Sequence, residues 1–321
     1  MKRKIFNIFF AVVLVLSFSL IMAVPAQAAV MVTPAAGGGA ISADTAAGAP
    51  GAAWTSLGTI TIAENANDDI AASQAGVTLI LNAPAGFQFN AAQSPSISGP
   101  AGDITAITVT STTAAAITIT FSTDGAADAL DTIVISQATA IQVQPTAGTP
   151  LLSGNIQKAA GSTCSIAGVD GTTNFGMLTE VAGAVATLTV VVQPSDALAG
   201  VAIAPPVQVK AEDVFDNVIA GQNITVTLQA GLGVLSGTTP QATNALGIAT
   251  FNDLSIDTVG PGKVLRFTAA AKTVDSNPFS IVVLADIDVE WSGTSIADGD
   301  STPSTADGTD FGSADISTPA R

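Results

Sequence analysis

Residues 77–82 of the chain are VTLILN, residues 117–122 are ITITFS and residues 224–229 are ITVTLQ. In each stretch every second side chain is apolar, and threonine, serine or an amide occupies most of the positions between. A period of two directs one set of side chains to each face of an extended chain, and Val, Ile and Thr fit such a pleated surface. The three stretches therefore predict half-buried antiparallel strands.

The same pattern recurs along the chain from Leu57 onward, with turn-forming segments between its repeats. Examples of these segments are Pro84-Ala85-Gly86, Asp124-Gly125 and Gly260-Pro261-Gly262. Glycine and proline favour tight turns, and Lys, Glu and Arg, which populate exposed helix faces, are scarce. Short strands separated by turns predict an all-β fold of tandem antiparallel β-sandwiches.

The composition excludes several classes of function. The chain has 321 residues, of which 48% are hydrophobic and 11% charged, with no histidine, no tyrosine and one cysteine. Without histidine, Ser-His-Asp catalysis and His-ligated metal sites are excluded. Glycoside hydrolysis by paired carboxylates also needs aromatic platforms for sugars, and we expect Trp54 and Trp291 to pack in a core or an interface instead. We therefore expect no enzymatic activity, no catalytic residues and no cofactor other than calcium.

The amino terminus is organised as a secretory signal peptide. Lys2-Arg3-Lys4 precedes an apolar run over residues 5–24, and the small-residue site Ala26-Gln27-Ala28 follows. This order predicts export with cleavage after residue 28. The apolar run is also long enough to span a bilayer, so an uncleaved membrane anchor is the alternative. We expect the protein to be extracellular or held at the cell surface.

The chain is strongly acidic. Its formal net charge is −16, and removal of residues 1–28 leaves six basic residues against 25 acidic ones, a net charge of −19. No Lys or Arg occurs between Ala29 and Gln157. Such a surface repels nucleic acid and anionic lipid headgroups, so we expect neither nucleic-acid binding nor membrane insertion of the mature chain.

Cys164 is the only cysteine, so an exported chain can form no intramolecular disulfide. Residues 162–166 have the composition of a strand, and no histidine is present to activate the thiol. We expect a half-buried structural cysteine, with an intermolecular disulfide or a nucleophile as alternatives.

The pattern divides the mature chain into four parts. Residues 29–56 are rich in Ala, Gly and Pro and are expected to be a flexible lead-in. Residues 57–183 are predicted to form a large β-sandwich, and residues 184–284 a second one of immunoglobulin size. Residues 285–321 are too few for a core of their own, which indicates an acidic linker or the start of a further domain.

The second predicted sandwich resembles a known family. The stretches in question are VVVQPSDALAGVAIAPPVQVKAEDVFDNVIAGQNITVTL (190–228), LSGTTPQATNALGIATFNDLSI (235–256), GKVLRFTAAA (262–271) and SNPFSIVV (276–283). They occur in the same order in the immunoglobulin-like repeats of bacterial surface proteins of the invasin and intimin grouping. The resemblance implies an immunoglobulin-like β-sandwich in a surface protein.

The last part resembles a different family. ADIDVEWSGTSIADGDSTPSTADGTDFGSADI (285–316) is similar to the opening of a Hydin-type immunoglobulin-like domain, often labelled choice-of-anchor D. In that family, further strands follow the Thr-Asp-Phe-Gly turn, whereas this chain stops at Arg321. The resemblance implies a truncated domain, or the amino-terminal piece of a longer protein.

Two acidic clusters are candidates for calcium, which prefers hard oxygen ligands. The first lies in a loop rich in Gly, Ser and Thr and comprises Asp298, Asp300, Asp307 and Asp310. The second follows the strand that ends near Ile62 and comprises Glu64, Asp68 and Asp69. The first cluster lacks the spacing of a helix-loop-helix calcium site and has no closing glutamate. A solvated acidic loop therefore remains the alternative at both places.

These observations predict a non-enzymatic, secreted or cell-surface modular protein that acts in structural display or adhesion. Its partner is expected to be a surface glycan, a surface protein or a second copy of the chain. One alternative is a carbohydrate-binding or calcium-dependent module of a larger secreted enzyme. Another is a subunit of a surface layer that assembles when calcium is added.

Overall fold

A computed structural model gives the fold of the chain. It describes residues 29–99, 102–126, 129–136 and 138–283, and the backbone of residues 289–291 and 294–296. In these residues the regular secondary structure is β-strand, apart from one short 3-10 helix, Ala43–Thr45. The predicted all-β fold of tandem β-sandwiches is confirmed.

The first sandwich is built from three sheets. Its described strands are β1 (Met31–Thr33), β2 (Ile41–Ser42), β3 (Thr55–Ser56), β4 (Ile60–Ala63), β5 (Val77–Asn82), β6 (Phe87–Phe89), β7 (Ile97–Ser98), β8 (Ile104–Thr112), β9 (Ala116–Thr123), β10 (Thr132–Ile135), β11 (Gln142–Pro145), β12 (Ser153–Lys158) and β13 (Gly176–Val181). A six-stranded sheet has the order β2-β13-β12-β5-β9-β8. The other two have the orders β1-β4-β10-β7 and β3-β11-β6.

All three sheets contribute to one hydrophobic core. The residues Leu79 and Leu81 of β5 and Ile119 and Phe121 of β9 are at most 1% exposed. Because β5 and β9 pair with Leu79 opposite Ile119, their alternating apolar side chains point to the same face. The alternation that predicts these strands therefore also builds the core.

The structure differs from the expectation for residues 29–56, which do not form a flexible lead-in. They supply β1, β2, the 3-10 helix and β3, and Ala43 and Ala46 are fully buried. Small residues are needed because the backbone packs closely: a Cβ at Gly38 would lie 2.4 Å from the carbonyl oxygen of Met177. The Ala and Gly content of this segment reflects tight packing against β13.

The second sandwich has its own sheets. Its described strands are β14 (Thr187–Val192), β15 (Ala197–Leu198), β16 (Val207–Glu212), β17 (Asn223–Ala230), β18 (Leu235–Ser236), β19 (Gln241–Ala242), β20 (Ile248–Phe251), β21 (Ser255–Ile256), β22 (Gly260–Ala269), β23 (Lys272–Asp275) and β24 (Phe279–Val282). The sheets have the orders β14-β16-β20 and β15-β24-β22-β17-β19, with β23 also paired to β22 and a small β18-β21 pair beside them.

A separate hydrophobic core fills the second sandwich. Val207, Val209 and Ala211 of β16 are fully buried. At the centre, the rings of Phe251 and Phe267 lie 5.2 Å apart at an angle of 50°, a favourable tilted arrangement for two aromatic rings.

Between the described strands, two pairings are parallel, although the sheets were expected to be antiparallel throughout. Strand β2 pairs with β13, and β15 pairs with β24. Both β2 and β15 are two-residue strands at the edge of a sheet. Side-chain alternation does not encode pairing direction, so the path of the chain decides it at such edges.

The last part of the chain, residues 285–321, contains a hairpin. The backbone of β25 (Val289–Trp291) pairs with β26 (Thr294–Ile296) in an antiparallel manner. Its other residues, which are expected to form an acidic linker or the start of a further domain, lie outside the described residues.

Candidate functional sites: an amide-lined groove and a domain junction

A polar groove lies on the outer face of the six-stranded sheet, where β12 pairs with the end of β5. Gln157 of β12 is directly opposite Asn82 of β5, and Asn155 lies two residues earlier on the same face of β12. The intervening side chains of Leu81 and Ile156 point the other way and are fully buried. Strand alternation thus directs three amide side chains, called the groove amides below, into one concave site.

Two turns of small residues form the sides of the groove. Residues 83–85 follow β5, and residues 159–160 follow β12. Glycine at position 154 allows the first turn to approach β12, because a Cβ there would lie 2.6 Å from the Cβ of Pro84. The groove has a mostly polar lining and a volume of about 510 Å³, within the range of about 300 to 1,000 Å³ that is common for ligand sites.

The groove amides have no hydrogen-bond partner among the described residues. Other amides of the same sandwich that face each other across strands are bonded. Gln88 Nε2 donates to Gln144 Oε1 at 3.0 Å, and Asn90 Nδ2 donates to Gln142 Oε1 at 2.7 Å. Asn82 and Gln157 also lie directly opposite each other on paired strands, but their side chains do not hydrogen-bond. Their amide donors and acceptors are therefore all available to a ligand.

The groove presents little charge of its own. Lys158, which borders it, is the only Lys or Arg between Ala29 and Gly183. Its half-buried ammonium donates to the carbonyl oxygen of Val169 at 3.1 Å. The cation is therefore engaged by the fold, and the same part of the chain contains ten acidic residues.

The two sandwiches meet at Gly183, where a carboxylate from each holds the connecting chain. Asp44 Oδ2 of the first sandwich accepts the N–H of Ala184 at 2.8 Å. Asp213 Oδ2 of the second accepts the N–H of Gly183 at 2.8 Å. A Cβ at position 183 would lie 2.1 Å from Asp44 Oδ1, so this close approach requires glycine.

Asp213 organises the loop that follows β16 and is only 1% exposed. Its Oδ1 accepts the N–H groups of Phe215 and Asn217 at 2.8 and 2.9 Å. Asn217 Nδ2 donates both to Asp213 Oδ2 and to the carbonyl oxygen of Gly148 in the first sandwich. Burial alone would raise the pKa of Asp213, but the hydrogen bonds from Asn217, Gly183 and Phe215 outweigh it and lower that pKa. The buried carboxylate therefore stays ionised and connects the two sandwiches.

Glu180, at the end of β13, lies beside this junction and is 4% exposed. Its Oε2 accepts the N–H of Leu152 at 3.4 Å, and its Oε1 has no partner among the described residues. Burial raises the pKa of Glu180, the bond from Leu152 opposes this, and the negative charge of Asp213 raises it further. The ionised form of Glu180 therefore destabilises the folded state relative to the unfolded one.

Glu64, Asp68 and Asp69 lie in one loop, but backbone groups already occupy two of the carboxylates. Glu64 accepts the N–H groups of Ile70 and Asp131 at 2.6 and 2.7 Å. Asp69 Oδ2 accepts two N–H groups from its own loop, and Asp68 has a positive φ of 66°. Calcium binding there stays a prediction, which a calcium titration followed by thermal unfolding tests.

The other predicted calcium cluster, which comprises Asp298, Asp300, Asp307 and Asp310, lies outside the described residues. Within the described ranges, no group of three or more Asp, Glu or Cys side chains is arranged to hold a metal ion. The described part of the chain also contains no helix long and apolar enough to cross a membrane.

Cys164 is 6% exposed, and burial raises the pKa of its thiol. Its segment does not form the strand that its composition suggests, although the N–H of Cys164 donates to the carbonyl oxygen of Thr78. Trp54 is 37% exposed instead of filling a core, whereas Phe87, Phe89 and Phe121 are buried.

Sequence reasoning missed the groove amides. Each occupies a polar position of a strand, where an amide is an ordinary solvent-facing residue. The sequence shows only that each amide is at a polar position of a strand. The three come together because β12 pairs with β5, which places Gln157 opposite Asn82, 75 residues away in the sequence.

Comparisons with known proteins add similarities of fold. No family model matches the chain, and no curated protein matches it. The D0-D1 domain of intimin is similar at 15% identity and a TM-score of 0.25, over 78% of this chain and 98% of that one. The adhesin InvE of Yersinia pseudotuberculosis is similar at 15% identity and a TM-score of 0.29, over 80% of this chain and 61% of that one. The Escherichia coli adhesin FdeC is similar at 17% identity and a TM-score of 0.33, over 80% of this chain and 63% of that one.

The expected similarity to immunoglobulin-like surface proteins of the invasin and intimin grouping is thus also found in structure. The chain spans less than two thirds of the length of the InvE and FdeC chains. At identities of 15 to 17% and TM-scores of 0.25 to 0.33, these similarities carry no functional conclusion for this chain.

Proposed function

We propose that this chain is an exported, non-enzymatic module that acts at the cell surface in adhesion, by displaying a binding surface on a stiff pair of sandwiches. The observation behind this proposal is the junction at Gly183. Two separate cores are joined by a connection that carboxylates from both sides hold through backbone N–H groups.

Stiffness follows from the number of contacts that span the junction. Besides the bonds of Asp44 and Asp213, Asn217 Nδ2 donates to the carbonyl oxygen of Gly148 at 2.7 Å. A Cβ at Gly148 would lie 2.3 Å from the ring of Phe215, so the two sandwiches also approach closely there. Sandwiches joined only by a linker move independently by default, and these contacts oppose such motion.

The residues of the chain support two parts of this proposal, namely that the chain has no catalytic activity and that it is exported. The chain has no histidine, its single thiol is buried, and Lys158 is engaged by a carbonyl group. The amino-terminal residues favour export, so the mature protein is expected to begin at Ala29. Amino-terminal sequencing of the exported protein tests this start directly.

The adhesion test uses the full chain, exported from a bacterial host and coated on beads. Beads coated with the protein are expected to adhere to cultured cells in larger numbers than beads coated with serum albumin. Adherence equal to that of the albumin beads would contradict the proposal. The variant Asn217→Ala, which removes one bond between the sandwiches, is expected to broaden the distance distribution in small-angle X-ray scattering.

A further inference from the structure

We propose that the groove on β5 and β12 binds neutral oligosaccharide chains through Asn82, Asn155 and Gln157. This inference rests on the proposed adhesion and names the chemical class of its ligand. The first argument is the convergence of three amides, without hydrogen-bond partners in the described part of the chain, in one groove of about 510 Å³.

The second argument is chemical complementarity. A side-chain amide offers two N–H donors and one carbonyl acceptor in a single plane. A sugar hydroxyl both donates and accepts, so neighbouring hydroxyls can satisfy both ends of an amide. The groove also has Ser153 and exposed turn backbone at its sides, and no large apolar side chain that would form a pocket for a peptide residue.

The third argument is charge. The only cation near the groove, Lys158, is bonded to Val169, and residues 29–183 contain ten acidic residues. The resulting negative field disfavours sialylated or sulfated sugars. The lining of the groove includes no aromatic residue, so a single site lacks the contribution of ring stacking. Retention of a glycan surface then depends on many copies binding together.

The experiment measures binding of the full exported chain, presented on beads, to an array of defined neutral, sialylated and sulfated oligosaccharides. Binding to at least one neutral class is expected. Asn155→Ala/Gln157→Ala is expected to weaken it at least tenfold, because two hydrogen-bonding side chains are lost. Gln208→Ala/Gln229→Ala is the matched control, since it removes two amides from strands of the second sandwich and should leave binding unchanged.

A second variant keeps the amides and blocks the groove. Ala160 is exposed at its side, so Ala160→Trp should fill the groove without altering the core, and binding should fall as well. Thermal unfolding of each variant verifies that the fold is intact. No retention of neutral glycans, retention of charged glycans alone, or unchanged binding by both groove variants would overturn the inference.

The bead assay on cells separates this inference from the proposed function. Adherence that is lost in Asn155→Ala/Gln157→Ala supports both. Equal adherence of the wild type and this variant, or adherence that survives enzymatic removal of cell-surface glycans, indicates a protein partner and overturns the groove inference alone. Absence of wild-type adherence overturns the proposed function, and the array still decides the groove.

Discussion

The two sandwiches differ in the groups that compensate their carboxylates. In the first, which has one cation, the buried carboxylate of Glu64 accepts the backbone N–H groups of Ile70 and Asp131. In the second, the buried carboxylate of Asp213 is held in the same way. Its partly exposed carboxylates also pair with side-chain cations, at 2.5 Å between Lys210 and Glu212 and at 2.7 Å between Arg266 and Asp275.

In the first sandwich, loop backbone N–H groups compensate carboxylates that have no side-chain cation as a partner in the described residues. Backbone N–H groups are strong donors to an ionised oxygen. These carboxylates are therefore part of the loop structure of the first sandwich, whereas the partly exposed ion pairs of the second are expected to contribute little to its stability. Four substitutions test this comparison.

The largest effect is expected in the second core. Phe251→Ala removes one ring of the Phe251–Phe267 pair and should lower the free energy of unfolding by about 3 to 5 kcal/mol. Phe121→Ala is the matched change in the first core. Hydrogen exchange read by mass spectrometry should show loss of protection confined to the mutated sandwich, and equal loss in both would contradict two separate cores.

The next effect is expected in the loops of the first sandwich. Glu64→Ala leaves two buried N–H groups unpaired and should lower the free energy of unfolding by about 2 to 3 kcal/mol, measured by urea unfolding. Asp68→Asn, in the same loop but exposed, is the control and should have little effect, because asparagine tolerates the positive φ of that position. Equal effects of the two changes would indicate that Glu64 does not support the loop.

At the junction, a substitution should stabilise the protein. The folded-state pKa of Glu180 is raised above its ordinary value of 4.5, chiefly by burial, so the folded state holds a proton that the unfolded state releases. Stability is therefore lost as pH rises from the unfolded pKa through the folded one. Glu180→Gln should raise the free energy of unfolding by about 1 kcal/mol at neutral pH.

That gain should disappear in acid, where the carboxyl is protonated in both states. Urea unfolding of the wild type and Glu180→Gln between pH 3 and pH 8 measures the difference. A difference that is independent of pH would contradict the assignment of the buried charge to Glu180.

The smallest effect is expected for the exposed ion pair of the second sandwich. Arg266→Ala breaks two bonds to Asp275, but exposed pairs contribute little because water and salt screen them. Thermal unfolding should show a change much smaller than that of Glu64→Ala, and none in 1 M salt. A loss as large as that of Glu64→Ala would remove the distinction between the two sandwiches.

The strands could be predicted from the sequence because alternation is a local property. Residues 77–82, 117–122 and 224–229 lie within β5, β9 and β17. At residues 29–56 the composition led to the wrong prediction of a flexible segment. Small residues are common both in flexible linkers and where backbone segments pack closely. Tertiary contacts distinguish the two cases, such as the burial of Ala43 and the carbonyl oxygen of Met177 that lies close to Gly38.

The sequence determines the all-β fold, the acidic charge and the absence of histidine chemistry, because these depend on residue types and on near neighbours. The tertiary structure alone decides that Asn82 faces Gln157 and that Asp44 and Asp213 hold Gly183. These contacts join residues far apart in the chain, and their geometry depends on strand register and on how two cores pack. Strand alternation sets which way a side chain points, and register sets what it meets.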